Sequence, residues 1–147
     1  MRKLLMVIVF GLFFLLPQPK HPPTMVHGIL RATVDEFIAD AIKHGIDIEH
    51  IRKELDYIVP MPLDANLYGA YTPYNRQISI NFVTCKNPYI LKATIYHELG
   101  HVYGLGHEEG GIMRTHQSPV QITNKYMNAE TWFIHKEILF NRIKNKQ

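Results

Sequence analysis

Five positions constrain this chain more than anything else in it. His97, Glu98, His101, Gly104 and His107 stand in the order His-Glu-x-x-His-x-x-Gly-x-x-His. Residues four apart lie one above the other on a helix, so His97 and His101 bring two imidazoles to one point if this stretch is helical. A third histidine on the next turn would block any approach to that point, so the chain has to turn away first. Gly104 can take the positive φ that ends a helix, after which His107 returns. The fold must therefore supply a helix that stops near Gly104 and a chain that doubles back.

Three imidazole nitrogens at ~2.0–2.1 Å form a zinc donor set, and three ligands leave a fourth position open, which is the catalytic and not the structural pattern. Glu98 follows His97 directly, so its carboxylate projects beside the ion and can take a proton from water there without being a ligand. A lone histidine is usually a surface or core residue, and the short two-histidine pattern often arises by chance. With 9 His, 9 Gly and 8 Glu in 147 residues, all five positions would coincide in roughly one such chain in ten thousand. The expected site is therefore His97, His101 and His107 on Zn²⁺, with Glu98 as general base.

The run His97-Glu98-Leu99-Gly100-His101-Val102-Tyr103-Gly104-Leu105-Gly106-His107 resembles the long zinc signature of the metzincin peptidases, and Gly111-Ile112-Met113 resembles their Met-turn. The order of elements is also similar to compact, matrixin- and archaemetzincin-like members. The likeness covers roughly residues 30–147, by motif over 97–113 and by order elsewhere. It implies a small zincin-like α+β domain with a short, mostly antiparallel or mixed sheet, an active-site helix, a Met-turn and a C-terminal helix. It implies an endopeptidase with a horizontal cleft for a peptide or protein substrate, and an edge strand at Ile78–Phe82 whose backbone pairs with that substrate. Met113 would form an apolar floor beneath the imidazoles. Residues Arg114–Pro119 would shape the pocket beyond the scissile bond, with Arg114 meeting a polar side chain or solvent and His116 at the border. Thr115 stands where some branches carry a tyrosine, so no tyrosine helper is implied. The link from His107 to Met113 is short, and Gly110-Gly111 makes it a tight turn.

Two rival arrangements use the same motif. In one, Glu130 replaces His107 as third ligand of a different metallopeptidase. In the other, Glu108 or Glu109 closes the fourth position and the protein is a zinc-stabilised extracellular binding module.

Residues 1–23 read as a separate object, and residues 24–147 as the metalloprotease domain. Met1-Arg2-Lys3 is a basic start, Leu4 to Leu16 is apolar, and Pro17 to Pro23 is a proline-rich exit. Thirteen apolar residues make a helix of about 20 Å, short of a ~30 Å hydrocarbon core, which favours a signal peptide over a spanning helix. No small-x-small cleavage site follows, so a membrane tether through residues 4–16 is the alternative. The protein is expected to be exported, secreted or periplasmic, and monomeric. Cys85 is the single cysteine, which excludes an intrachain disulfide and reads as a small buried hydrophobe. A net charge of +3, partly at the chain ends, with no basic stripe among aromatics, argues against nucleic acid.

The remaining signals place the elements. Thr33-x-x-Glu36 reads as a capping box opening a helix with Val34, Phe37, Ile38, Ala41 and Ile42 on its apolar face, stopped by Gly45. Asp47 caps a second helix carrying Ile48, Ile51 and Leu55, which Pro60-Met61-Pro62 ends. An antiparallel pair follows, Asn66–Tyr71 and Arg76–Val83, with Ile78, Ile80 and Phe82 facing in and Gln77, Ser79 and Asn81 facing out. Asn87-Pro88 caps the helix that carries the histidines. A last helix spans roughly Lys125 to Ile143, with Tyr126, Trp132, Phe133, Ile134, Ile138 and Leu139 as its core side. His21, His27, His44, His50, His116 and His135 read as surface residues.

Overall fold

A computed structural model describes residues 23–108, 110–114, 122 and 126–147. The leader, Glu109, Thr115, His116 and the rest of the stretch to Pro119, and Lys125, lie outside the described residues. Among the described residues, no helix is long and apolar enough to cross a membrane.

The chain forms an α+β domain. Strand β1 (Met25–Val26) leads into helix α1 (Gly28–Lys43), helix α2 (Glu49–Glu54), and strands β2 (Tyr57–Met61), β3 (Gly69–Thr72) and β4 (Gln77–Asn81). Helices α3 (Pro88–Val102) and α4 (Ala129–Lys144) complete it. The sheet order is β1-β2-β4-β3, parallel between β1 and β2 and between β2 and β4, and antiparallel between β4 and β3.

Helix α1 begins at Gly28, a turn before the expected capping box. His27 is extended, and its side chain accepts the Ile29 N–H at 3.5 Å. Leu30 thereby joins Val34, Phe37 and Ala41 in one buried stripe, and Thr33 lies inside the helix. Ile42, expected in the core, is exposed. Gly45, at φ 72°, ends the helix as expected. The Asp47 carboxylate accepts the Glu49 N–H at 2.9 Å, and so opens α2.

Strand β2 overturns the reading of Pro60 as a terminator. The Ile58 carbonyl accepts from His27 N at 2.9 Å, so Ile58 faces β1. Alternation turns Pro60 to the same edge, past the end of the two-residue β1, where its missing N–H has no partner to lose. The hairpin of β3 and β4 forms with tighter ends than expected, joined by a 3₁₀ turn over Pro73–Asn75.

β4 is not an edge strand, because β2 and β3 flank it; the edge strands are the two-residue β1 and, on the hairpin side, β3. Nor do its polar residues face solvent. The Asn81 amide donates to the carbonyls of Leu63, Asp64 and Leu67 at 2.9–3.3 Å, so residues 62–68 fold over Asn81 and bury it, while Ser79 is buried beside Gln77 and Met61. Phe82, beyond the strand, is exposed.

On the helix side the register aligns Val26, Ile58, Ile78 and Tyr71 in one row, and Pro60, Ile80 and Gly69 in the next. Phe37 of α1, Tyr96 of α3 and Phe140 of α4 meet over this face, with ring centroids 5.0 and 5.2 Å from Phe37. α4 starts at Ala129, capped by Asn128 Oδ1, which accepts from Glu130 N and Thr131 N. Its buried side is Trp132, Leu139, Phe140 and Ile143. Phe133, Ile134 and Ile138, expected there, are exposed, and Tyr126 is buried but precedes the helix.

Candidate metal centre

Helix α3 is the platform. Asn87 Oδ1 accepts the N–H groups of Tyr89 and Ile90 at 3.0 and 3.2 Å, and Pro88 fills the first position, where no N–H is needed. His97 and His101 follow on one face. The helix stops as its motif requires. Gly104 takes φ 75°, its N–H bonds to His101 O at 2.9 Å, and Leu105 N–H bonds to Gly100 O at 3.1 Å.

This cap brings His107 back. The Nε2 atoms of His97, His101 and His107 lie 3.0–3.2 Å from one another. A tetrahedral ion ~2.0–2.1 Å from each would space them by about 3.3 Å, so the triangle fits one metal ion. Among the described residues these three are the group able to hold a metal.

The far side of each helical imidazole is fixed by backbone. His97 Nδ1 lies 2.8 Å from Ile112 O, and His101 Nδ1 2.8 Å from Leu105 O. A carbonyl can only accept, so both Nδ1 atoms carry the proton and both Nε2 lone pairs turn to the centre. Burial keeps the rings neutral. It pushes His97 down to about 4, aided by the neighbouring histidines and opposed by the Ile112 carbonyl. Burial likewise lowers His101, against the Leu105 carbonyl.

Met113 is fully buried and packs on the α3 backbone at Gly100. A Cβ on Gly100 would lie 2.4 Å from Met113 Sδ, so the side chain occupies the space glycine leaves. The link from His107 to Met113 closes as a tight turn, with Glu108 N–H on Met113 O at 3.1 Å and Gly111 at φ 68°.

Glu98 is only 6% exposed, and burial raises its carboxyl to about 7 although the Tyr71 N–H bonds to it and opposes the rise. That N–H is on the free edge of β3. Tyr68 O accepts from Asn81 N, so Tyr68, Ala70 and Thr72 face β4 while Gly69 and Tyr71 face away.

Of the rival ligands, Glu130 and Glu108 stand outside the histidine cluster. Glu130 is exposed in the first turn of α4 and does not join the histidines. Glu108 is paired with Arg142 at 2.6 Å. Arg114 is exposed, and its backbone bridges to Glu108. Cys85 is half-buried, bonds to Asn81 O at 3.6 Å, and has its thiol pushed up by burial, so it is held as a neutral thiol.

The contact of Glu98 with β3 and the carbonyls of Leu105 and Ile112 were not visible from sequence, since backbone groups carry no residue signature. His44 and His50 are not free surface residues either. His44 bridges Asp40 O and Glu137, and His50 bonds to Val102 O at 2.9 Å and stacks on Tyr103. Comparisons of the chain with protein-family models, with curated proteins and with solved structures find no match.

Proposed function

We propose that the protein is a zinc-dependent endopeptidase of the metzincin kind, exported by its leader or tethered by it, in which Glu98 is the general base. The observation that carries this reading is the pairing of three converging Nε2 atoms with a buried carboxylate from the adjacent residue. When bound, zinc supplies Lewis acidity towards a carbonyl and acidifies water to a pKa of ~7.

The remaining work falls to the chain. His97, His101 and His107 present neutral nitrogens from one side only, which leaves the opposite side open to substrate. Glu98 takes a proton from the attacking water and returns it to the leaving amine, and a carboxyl near 7 suits both transfers at neutral pH. An extended peptide pairs with the free edge of β3 at Gly69, the role the sequence alone had given to Ile78–Phe82. The substrate is therefore an unfolded or loop segment able to add a strand.

A peptide-library digest with the zinc-loaded protein tests the reading. Cleavage is expected, with loss on adding a chelator and return on adding zinc. Cleavage indifferent to chelator, or none across a broad library, would contradict it.

A further inference from the structure

Helix α3 packs against β3 and β4, and at Gly69 the strand and helix lie in tight contact. A Cβ at Gly69 would stand 2.6 Å from Thr94 Cγ2, 3.1 Å from Glu98 Cγ and 3.2 Å from Glu98 Oε1. Non-bonded carbons sit at about 3.5–4.0 Å, so no side chain fits there without moving the helix, the strand or the carboxylate. Glu98 fills the space that glycine leaves, and two residues on, the Tyr71 N–H bonds to its carboxylate.

We infer that Gly69 is a positioning residue for Glu98. Its missing side chain lets the β3 edge lie against α3, so that a main-chain N–H fixes the direction of the carboxylate relative to the three histidines. The inference rests on the proposed role of Glu98, but the placement it describes exists whether or not the protein cleaves peptides. A backbone donor suits this task, because it cannot rotate away and cannot give up its proton to the base. The same strand would then aim the carboxylate and, through the outward-facing groups of Gly69, receive the substrate. Substrate register and base position would share one ruler.

The test separates carboxylate placement from packing. Gly69→Ala alone meets Thr94 at a distance that forces backbone movement. Gly69→Ala with Thr94→Ser removes the Cγ2 contact and leaves pressure on Glu98 only. In the zinc-loaded full-length chain, this double variant should keep one zinc and its thermal melt. Its Tyr71 amide should exchange with deuterium about ten- to a hundredfold faster than in the parent, as it should in Glu98→Ala, the size expected for loss of a bond to a charged group. Its kcat should fall by about ten- to a hundredfold with KM within about threefold, the split expected when a base is misaimed and substrate binding is kept. Thr94→Ser alone should match the parent in all four readouts. The inference is overturned if the double variant keeps the slow Tyr71 exchange, or if it cleaves as fast as the parent. If the parent cleaves nothing while both substitutions speed Tyr71 exchange, the placement stands and the peptidase reading is what fails.

Discussion

A histidine makes a good ligand when its second nitrogen is tied down, and here the ties are main-chain carbonyls. Ile112 O and Leu105 O belong to the turns that follow α3, so the geometry of the site depends on how the helix ends as much as on the helix. The motif residues were legible because their spacing along one helix is covalent. The roles of His44 and His50 were not, because their partners lie 93 and 52 residues away. The ligand set has a direct check: His107→Ala should lose most bound zinc, whereas Glu130→Ala should keep close to one ion per chain. Metal content after dialysis measures both, and loss on the Glu130 substitution alone would favour the rival third ligand.

Among the elements, helix ends were read well where a side chain announced them and poorly where it did not. Asn87-Pro88 and Gly104 set the limits of α3, and Gly45 that of α1. The start of α1 escaped because Thr33-x-x-Glu36 imitates a cap, although the apolar stripe runs back to Leu30. β2 escaped because a proline inside a strand is tolerated only at an edge position, and which positions face an edge is a tertiary fact. α1 and α4 are joined by His44, whose Nδ1 lies 2.7 Å from Asp40 O and whose Nε2 lies 3.0 Å from Glu137 Oε1. Burial opposes its protonation, but the bonds to the Asp40 carbonyl and the Glu137 carboxylate outweigh that and raise its pKa above 6.5. The folded state thus holds the proton more tightly than the unfolded chain. This contribution to stability is full below pH 6.5 and is lost as pH rises through the raised value. Denaturant melts should show His44→Gln destabilised at pH 5.5 and closer to the parent at pH 8.5. An equal deficit at both would mean that packing on Phe140, and not charge, is what His44 provides.

For the molecule as a whole, the helices form one frame behind the metal centre. Asp40 is buried, takes a hydrogen bond from Tyr96 OH at 3.0 Å, and pairs with Lys136 Nζ at 2.9 Å, so α1, α3 and α4 meet at one carboxylate. α4 also packs Leu139 beside Gly100 of α3, where Met113 packs as well. The α+β class was legible from the alternation of helical and strand periods. The sheet order was not, because β1 has only two residues, β2 carries a proline, and both pair with residues distant in sequence. The task proposed for this frame is proton transfer at Glu98, and one measurement reaches that directly. Glu98→Gln keeps the shape of the side chain and leaves the three histidines in place, but it cannot accept and return a proton. Zinc content, thermal melting and cleavage of a quenched peptide should be compared for parent and variant side by side. The expected result is equal zinc and an equal melt, with hydrolysis reduced at least about a hundredfold. A variant that holds zinc and cleaves as fast as the parent would contradict the assignment of Glu98 as the base, and with it the proposed mechanism.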